Sequence, residues 1–270
     1  MFWTRIVPGV ACLFTMLALF LLVQGKADPQ TPASTAAPVV SNDEAAALKM
    51  EGITAEKNNG WDGRRLVSVW HGDPGRKEIA LTFDDGPHRE ATLRLLDLLR
   101  GLKVKATFFL VGKKVDETPD VLPLIVRDGH EVANHTYHHI NLDKADDAVV
   151  QSEIQLGNDA IRRACGVQPT AFRPPGGHHR PNVLRNADKL NMKIILWTND
   201  PADYAMPGQS ILADRLDHVS NGTIILLHDG IDQTMEVLPN LIARLRRDGY
   251  HFVTVSEMVK HLEASGPVEK

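Results

Sequence analysis

Two carboxylates stand side by side in Thr82-Phe83-Asp84-Asp85-Gly86, and two histidines stand four apart in His135-Thr136-Tyr137-His138-His139. A pair of buried carboxylates is costly unless a cation or hydrogen-bond donors compensate it. Adjacent side chains diverge, so one aspartate can hold a metal ion while the other faces a substrate. On one helical turn His135 and His139 share a face and converge on one ion, with His138 pointing elsewhere. An Asp-His-His set with open positions suits a catalytic divalent ion. Taken singly, each segment has a plainer reading. Asp-Asp-Gly-Pro is good turn chemistry, and an isolated His-x-x-x-His is more often a helix surface.

Three further segments carry reactive types. Arg173-Pro174-Pro175-Gly176-Gly177 offers a guanidinium able to hold a carboxylate, and bare backbone N–H groups able to hold an oxyanion. Asp200-Pro201-Ala202-Asp203-Tyr204 offers two carboxylates and an aromatic ring. Leu226-Leu227-His228-Asp229 places a histidine just past an apolar run. Such a histidine is either pinned by structure or a general acid or base, and a carboxylate beside it would orient it and raise its pKa. His178 and His179 read as solvated loop residues.

These segments need elements that bring them together. Short β-rich runs are predicted as strands over 79–83, 106–111, 131–133, 171–173, 193–197, 223–227 and 251–253. Between them, amphipathic patterns predict helices over 91–100, 119–127, 145–164, 181–190, 210–219 and 235–247, with a last one over 256–262. Gly101, Gly129, Gly166 and Gly249 fall where those helices should stop. Alternating strand and helix predicts a parallel α/β sheet. Each reactive segment then lies at the C-terminal end of a strand, where sites form in such folds.

The chain has 270 residues, 43 % of them hydrophobic and 24 % charged, enough for a sizeable core. A net charge of −4 with no basic stripe argues against nucleic-acid binding. At the N-terminus, Arg5 precedes an apolar stretch over 6–23 and a small-x-small site at Gly25-Lys26-Ala27. This pattern predicts export. Cleavage after Ala27 and retention as a membrane anchor are both open. The expected location is periplasmic, cell-surface or secreted, with any membrane contact made through the N-terminus alone. Residues 28–76 read as linker and lead-in, with a possible short helix over 44–49. The catalytic domain is expected over 77–263 and a tail over 264–270. Cys12 lies in the apolar run, which leaves Cys165 alone, so neither an intramolecular disulfide nor a cysteine-based metal site is expected.

The ordered set Thr-Phe-Asp-Asp-Gly, His-Thr-x-x-His, Arg-Pro-Pro-x-Gly, Asp-x-x-Asp-aromatic and Leu-x-His-Asp resembles the five motifs of polysaccharide deacetylases, carbohydrate esterases of family 4 that share the NodB homology domain. The resemblance spans about two-thirds of the chain. It implies a distorted (β/α)7 barrel and removal of N-acetyl groups from an amino-sugar polysaccharide such as peptidoglycan, chitin-like polymers or exopolysaccharide. It implies that Asp85, His135 and His139 hold one divalent metal ion, usually zinc, with cobalt, nickel or manganese as alternatives. Asp84 would be the general base and Arg173 the residue that holds it. His228 would be the general acid, paired with Asp203, for which Asp200 competes. Gly176 would supply the oxyanion N–H, Leu226 would line the acyl pocket and Tyr204 would form an aromatic wall. Two positions depart from the family pattern. Gly176 stands where a tyrosine or another large residue is usual, which removes one wall, and Tyr204 stands where tryptophan is usual. Acetyl-xylan esters or formamido-sugar lipids are the alternative substrates, and a non-catalytic carbohydrate-binding protein is the alternative class.

Overall fold

The computed structural model describes Asn59–Trp61 and Leu66–Ser265. The predicted export signal, most of the linker and the end of the tail lie outside the described residues. Among the described residues no helix is long and apolar enough to cross a membrane.

Seven parallel strands form the frame: β3 (Glu78–Gly86), β4 (Thr107–Leu110), β5 (Glu131–Asn134), β6 (Ala171–Phe172), β7 (Lys193–Ile195), β8 (Thr223–His228) and β9 (His251–Phe252). All seven were expected from their apolar runs. The lead-in adds two more. β2 (Leu66–Val69) pairs parallel with β7, and β1 (Asn59–Trp61) pairs antiparallel with β2. The sheet therefore begins before the first predicted strand. Its order is β1-β2-β7-β6-β5-β4-β3-β8, with β9 beside the first residues of β3. The curl closes where Asn199, past the end of β7, bridges to Ile225 of β8. This is the distorted (β/α)7 barrel.

The helices are α1 (Arg89–Leu102), α2 (Gly112–Glu117), α3 (Leu122–Arg127), α4 (Asp147–Cys165), α5 (Pro181–Lys189), α6 (Gln209–Leu216), α7 (Asp232–Arg247) and α8 (Val255–Ser265). α2 was not foreseen, since six residues carry too little periodicity. α1 does not stop at Gly101. It runs on to Leu102, and Lys103 makes the left-handed cap at φ 54°. Gly166 does cap α4, at φ 75°.

Strand side chains alternate between two faces, and here the alternation separates packing from chemistry. Ile79, Leu81 and Phe83 pack outward with Leu95, Leu96 and Leu99 of α1, and Ile225 and Leu227 join the same cluster. Ala80, Phe109 and Leu226 belong to the second core, inside the barrel. Thr82 and Asp84 continue the face of Ala80, and His228 continues that of Leu226. The outward face is mostly apolar, so it locks the helices on, while the inward face turns polar at the strand ends.

Candidate active site

Five strand ends meet at one mouth of the barrel. Asp84 and His228 are paired positions of β3 and β8. Asp84 is 3 % exposed. Its Oδ1 accepts from Nη1 of Arg173 at 2.6 Å, and its Oδ2 lies 3.7 Å from Nε2 of His135.

Arg173 has no exposed surface. Its donors are shared out across the barrel: Nη1 also reaches Thr82 Oγ1 at 2.8 Å, Nε reaches the Ile195 carbonyl at 3.0 Å, and Nη2 reaches that of Leu196 at 3.1 Å. The guanidinium also lies 4.1 Å over the Phe109 ring. A buried cation is stable only with such full pairing. The predicted role of Arg173, holding Asp84, thus has a physical counterpart. Thr82, the first residue of the Thr-Phe-Asp-Asp-Gly motif, is part of that clamp, a role not assigned from sequence because it depends on an arginine 91 residues away.

Asp85, His135 and His139 come together as predicted, with one ligand atom from each all within 4.8 Å of one another. The route is not the predicted one. Residues 135–139 form an irregular turn, not a helix, in which Thr136 (φ 65°) and His139 (φ 57°) take left-handed conformations. Asn134 holds this turn. Its Oδ1 accepts from the Thr136 N–H at 2.7 Å, while its Nδ2 donates to the Ile154 carbonyl and to Asn158. His138 points away as expected, bonded to Glu153 at 2.7 Å.

The three residues fit a divalent cation. Nδ1 of His135 is paired with the Arg173 carbonyl at 2.7 Å, which fixes the proton there and turns Nε2 to the centre. Oδ1 of Asp85 lies 3.4 Å from that Nε2 and 3.0 Å from Nε2 of His139. Yet this buried oxygen has no hydrogen-bond partner of sound geometry. Acceptor atoms crowded together without bonding are what a shared cation would relieve. Burial works to raise the pKa of Asp85, but the two imidazoles outweigh it and hold the carboxyl far below the usual range. The Asp85 carboxylate in turn raises His139, against the effect of its burial.

On the other side, Asp203 and not Asp200 pairs with His228. Asp203 is fully buried and accepts four bonds: from the His228 N–H at 2.9 Å, His228 Nδ1 at 2.7 Å, Thr234 Oγ1 at 2.6 Å and the Tyr204 N–H at 3.0 Å. Burial pulls the His228 pKa down, but the bond to Asp203 and the nearby carboxylates carry it above the ordinary value. With Nδ1 engaged, Nε2 remains for a reactant. Asp200 instead accepts from the N–H of Ala202, a left-handed residue at φ 54°, and so shapes the turn that delivers Asp203. Its own pKa is raised by burial.

The remaining predicted residues are placed as follows. Tyr204 is 51 % exposed and stands edge-on to the His228 ring, 5.2 Å between centroids. Leu226 is buried on the inward face of β8, 4 % exposed. Gly176 sits at φ 65° in a short 3-10 turn (Pro175–Gly177). That turn ties the N–H groups of Gly177 and His178 to the carbonyls of Pro174 and Pro175, and among the described residues it leaves the Gly176 N–H uncommitted. The expectation of two solvated histidines needs correcting. His179 is 6 % exposed and packs edge-on to Trp70, while His178 Nδ1 lies 3.0 Å from a carboxylate oxygen of Asp143. Asp229, the last residue of the Leu-x-His-Asp motif, was given no role from sequence. It accepts from Thr92 Oγ1 at 2.5 Å and fills the space beside Gly86, where a Cβ would lie 2.5 Å from its Oδ2.

Known proteins resemble this chain in sequence and in fold. The polysaccharide deacetylase family model matches residues 71–195. A peptidoglycan-N-acetylglucosamine deacetylase of Bacillus cereus is 36 % identical over 199 residues, covering 72 % of this chain and 93 % of its own. A chitooligosaccharide deacetylase of Bradyrhizobium is 37 % identical over 192 residues, covering 65 % and 88 %. Among solved structures, a family 4 pseudoenzyme of Bacillus anthracis, BA3943, superposes with a TM-score of 0.69 at 31 % identity, covering 72 % of this chain and 69 % of that one. A fold shared with a pseudoenzyme shows that activity must be argued from side chains. The chain belongs to the polysaccharide deacetylase family, the carbohydrate esterases of family 4.

Proposed function

We propose that this chain is an exported, zinc-dependent N-deacetylase that acts on the N-acetylglucosamine units of peptidoglycan. The observation that carries the reading is the pairing of Asp84 with His228 across β3 and β8, beside the converging ligand atoms of Asp85, His135 and His139. A water-activating carboxylate and a proton-donating imidazole thereby flank one point. The likeness to the Bacillus cereus peptidoglycan deacetylase favours peptidoglycan over chitin oligomers by its fuller coverage of both chains. Two imidazoles and one carboxylate form a donor set that suits zinc. The basic, apolar and small-residue pattern over 1–27 supports export.

When bound by Asp85, His135 and His139, a divalent ion supplies Lewis-acid polarisation of the acyl oxygen and makes water easier to deprotonate. Asp84, fixed by Arg173, takes the proton of the attacking water. The Gly176 N–H donates to the oxygen that gains charge. His228, protonated and oriented by Asp203, gives a proton from Nε2 to the departing sugar nitrogen. Acetate and a free amine result. Leu226 and the barrel interior keep bulk water from the acyl group.

The test is acetate release by the metal-stripped and metal-reloaded protein from peptidoglycan and from N-acetylglucosamine oligomers. Release that needs metal and is faster from peptidoglycan is the expected result. Metal uptake without acetate release from either polymer would overturn the reading.

A further inference from the structure

Gly176 leaves a gap in the rim of the site, and a side chain from the same loop fills it. A Cβ built on Gly176 would meet Cδ2 and Nε2 of His178 at 2.9 Å each. The imidazole therefore lies in the place a larger residue at 176 would use. The ring is not loose. Its Nδ1 is 3.0 Å from Oδ2 of Asp143, and Oδ1 of Asp143 is 3.3 Å from Nε of Arg180. Asp143 sits in the short 3-10 turn (Leu142–Lys144) that follows His139, and its own N–H is capped by Asn141 Oδ1 at 2.8 Å. The His178–Asp143 pair thus joins the loop that carries Gly176 to the loop that carries the ligand His139.

We infer that His178 is a substrate-contacting residue that sets specificity for the polymer, standing in for the wall that Gly176 lacks. In the neutral tautomer whose Nδ1–H faces the Asp143 carboxylate, Nε2 presents a lone pair beside Gly176 and accepts from a sugar hydroxyl. The side chain is 32 % exposed, enough to be reached by ligand. A hydroxyl-bearing rim is what a sugar unit next to the reacting one offers, and a small acyl ester offers none. The two exposed rings of the mouth, His178 after β6 and Tyr204 after β7, then grip a chain of sugars and not an isolated acyl group. This inference rests on the deacetylase reading.

The experiment compares steady-state kinetics of the metal-loaded full chain on an N-acetylglucosamine oligomer and on a small aryl acetate. His178→Ala should raise KM for the oligomer about tenfold with kcat changed less than about twofold, so that preference for oligomer over aryl acetate falls about tenfold. Asp143→Asn should shift KM the same way by less, since the ring stays but loses its anchor. His178→Gln, which keeps an acceptor, should recover part of the loss. An equal fall on both substrates, or an unchanged KM, would overturn the inference while leaving the deacetylase reading intact. A wild-type protein that cleaves the aryl acetate and no oligomer would overturn both.

Discussion

Asp84 and His228 occupy directly paired positions on two neighbouring parallel strands, so one backbone register sets the spacing of the proposed base and acid. Ile79 to Phe83 and Thr223 to Leu227 form the five pairs below them, every residue buried. A slip by one residue would turn each inward side chain outward. The spacing of these two groups is therefore protected by the buried zipper beneath it.

Asp84→Asn should cut acetate release by about 10³-fold, within the range for loss of a general base. Metal content should stay at the wild-type level, since the ligands are other residues. Elemental analysis beside the activity assay checks both halves. Substantial turnover with metal bound would remove Asp84 from the role.

His135→Ala should weaken metal binding by more than about 100-fold, exceeding what loss of an outer partner costs. In the wild type, metal at about a hundredfold over its Kd should add about 2.7 kcal/mol of stability. Thermal melts with and without metal would show a shift for the wild type and none for the variant. A preserved shift would break the ligand assignment.

Arg173→Met should destabilise the fold by about 3–5 kcal/mol, because it strands the buried Asp84 carboxylate without its cation. Arg173→Lys should not rescue it. A lysine has one donor group where Arg173 uses three nitrogens on four acceptors. Urea denaturation of the three proteins measures this. A loss under about 1 kcal/mol for the methionine variant would contradict the clamp.

The pH profile should carry the mark of Asp203. The His228 pKa is raised in the folded protein, so its contribution to stability is full below the ordinary value of about 6.5 and is lost as pH rises through the folded value. As a proton donor, His228 must be protonated, so kcat/KM should fall above that same folded pKa. Asp203→Asn removes the carboxylate that raises it, and the falling limb should move to lower pH. An unmoved limb would show that another group sets it.

Gly157→Ala should act at a distance. A Cβ there would lie 2.5 Å from Oδ1 of Asn134, the atom that holds the Thr136 N–H in the ligand turn. Metal affinity should fall about 10- to 100-fold, the usual cost of disturbing an outer partner. Calorimetric titration with zinc would show it, and unchanged affinity would release Asn134 from that role.

Much of this was legible in the chain. Strands such as Thr223–His228 declare themselves by apolar runs, and their ends are where an α/β sheet collects its chemistry. What stayed hidden follows from local backbone and from long-range pairing. His135 and His139 converge because Thr136 and His139 itself are left-handed, a conformation that non-glycine residues do not announce. The choice between Asp203 and Asp200 depends on Thr234, which reaches in from α7. Leu66–Val69 joins the sheet through its pairing with β7, and a four-residue strand cannot reveal so distant a partner. His178 looked solvated because its carboxylate partner lies in a different loop.

The four donors converging on Asp203 tie two properties of the enzyme together. Tyr204, the ring exposed at the mouth, hangs from the same carboxylate by its own N–H, and that carboxylate governs how tightly His228 keeps its proton. A loop rebuilt to seat a different sugar against Tyr204 would pull on that carboxylate, and with it on the acid. On the proposed roles, substrate range and working pH would change together.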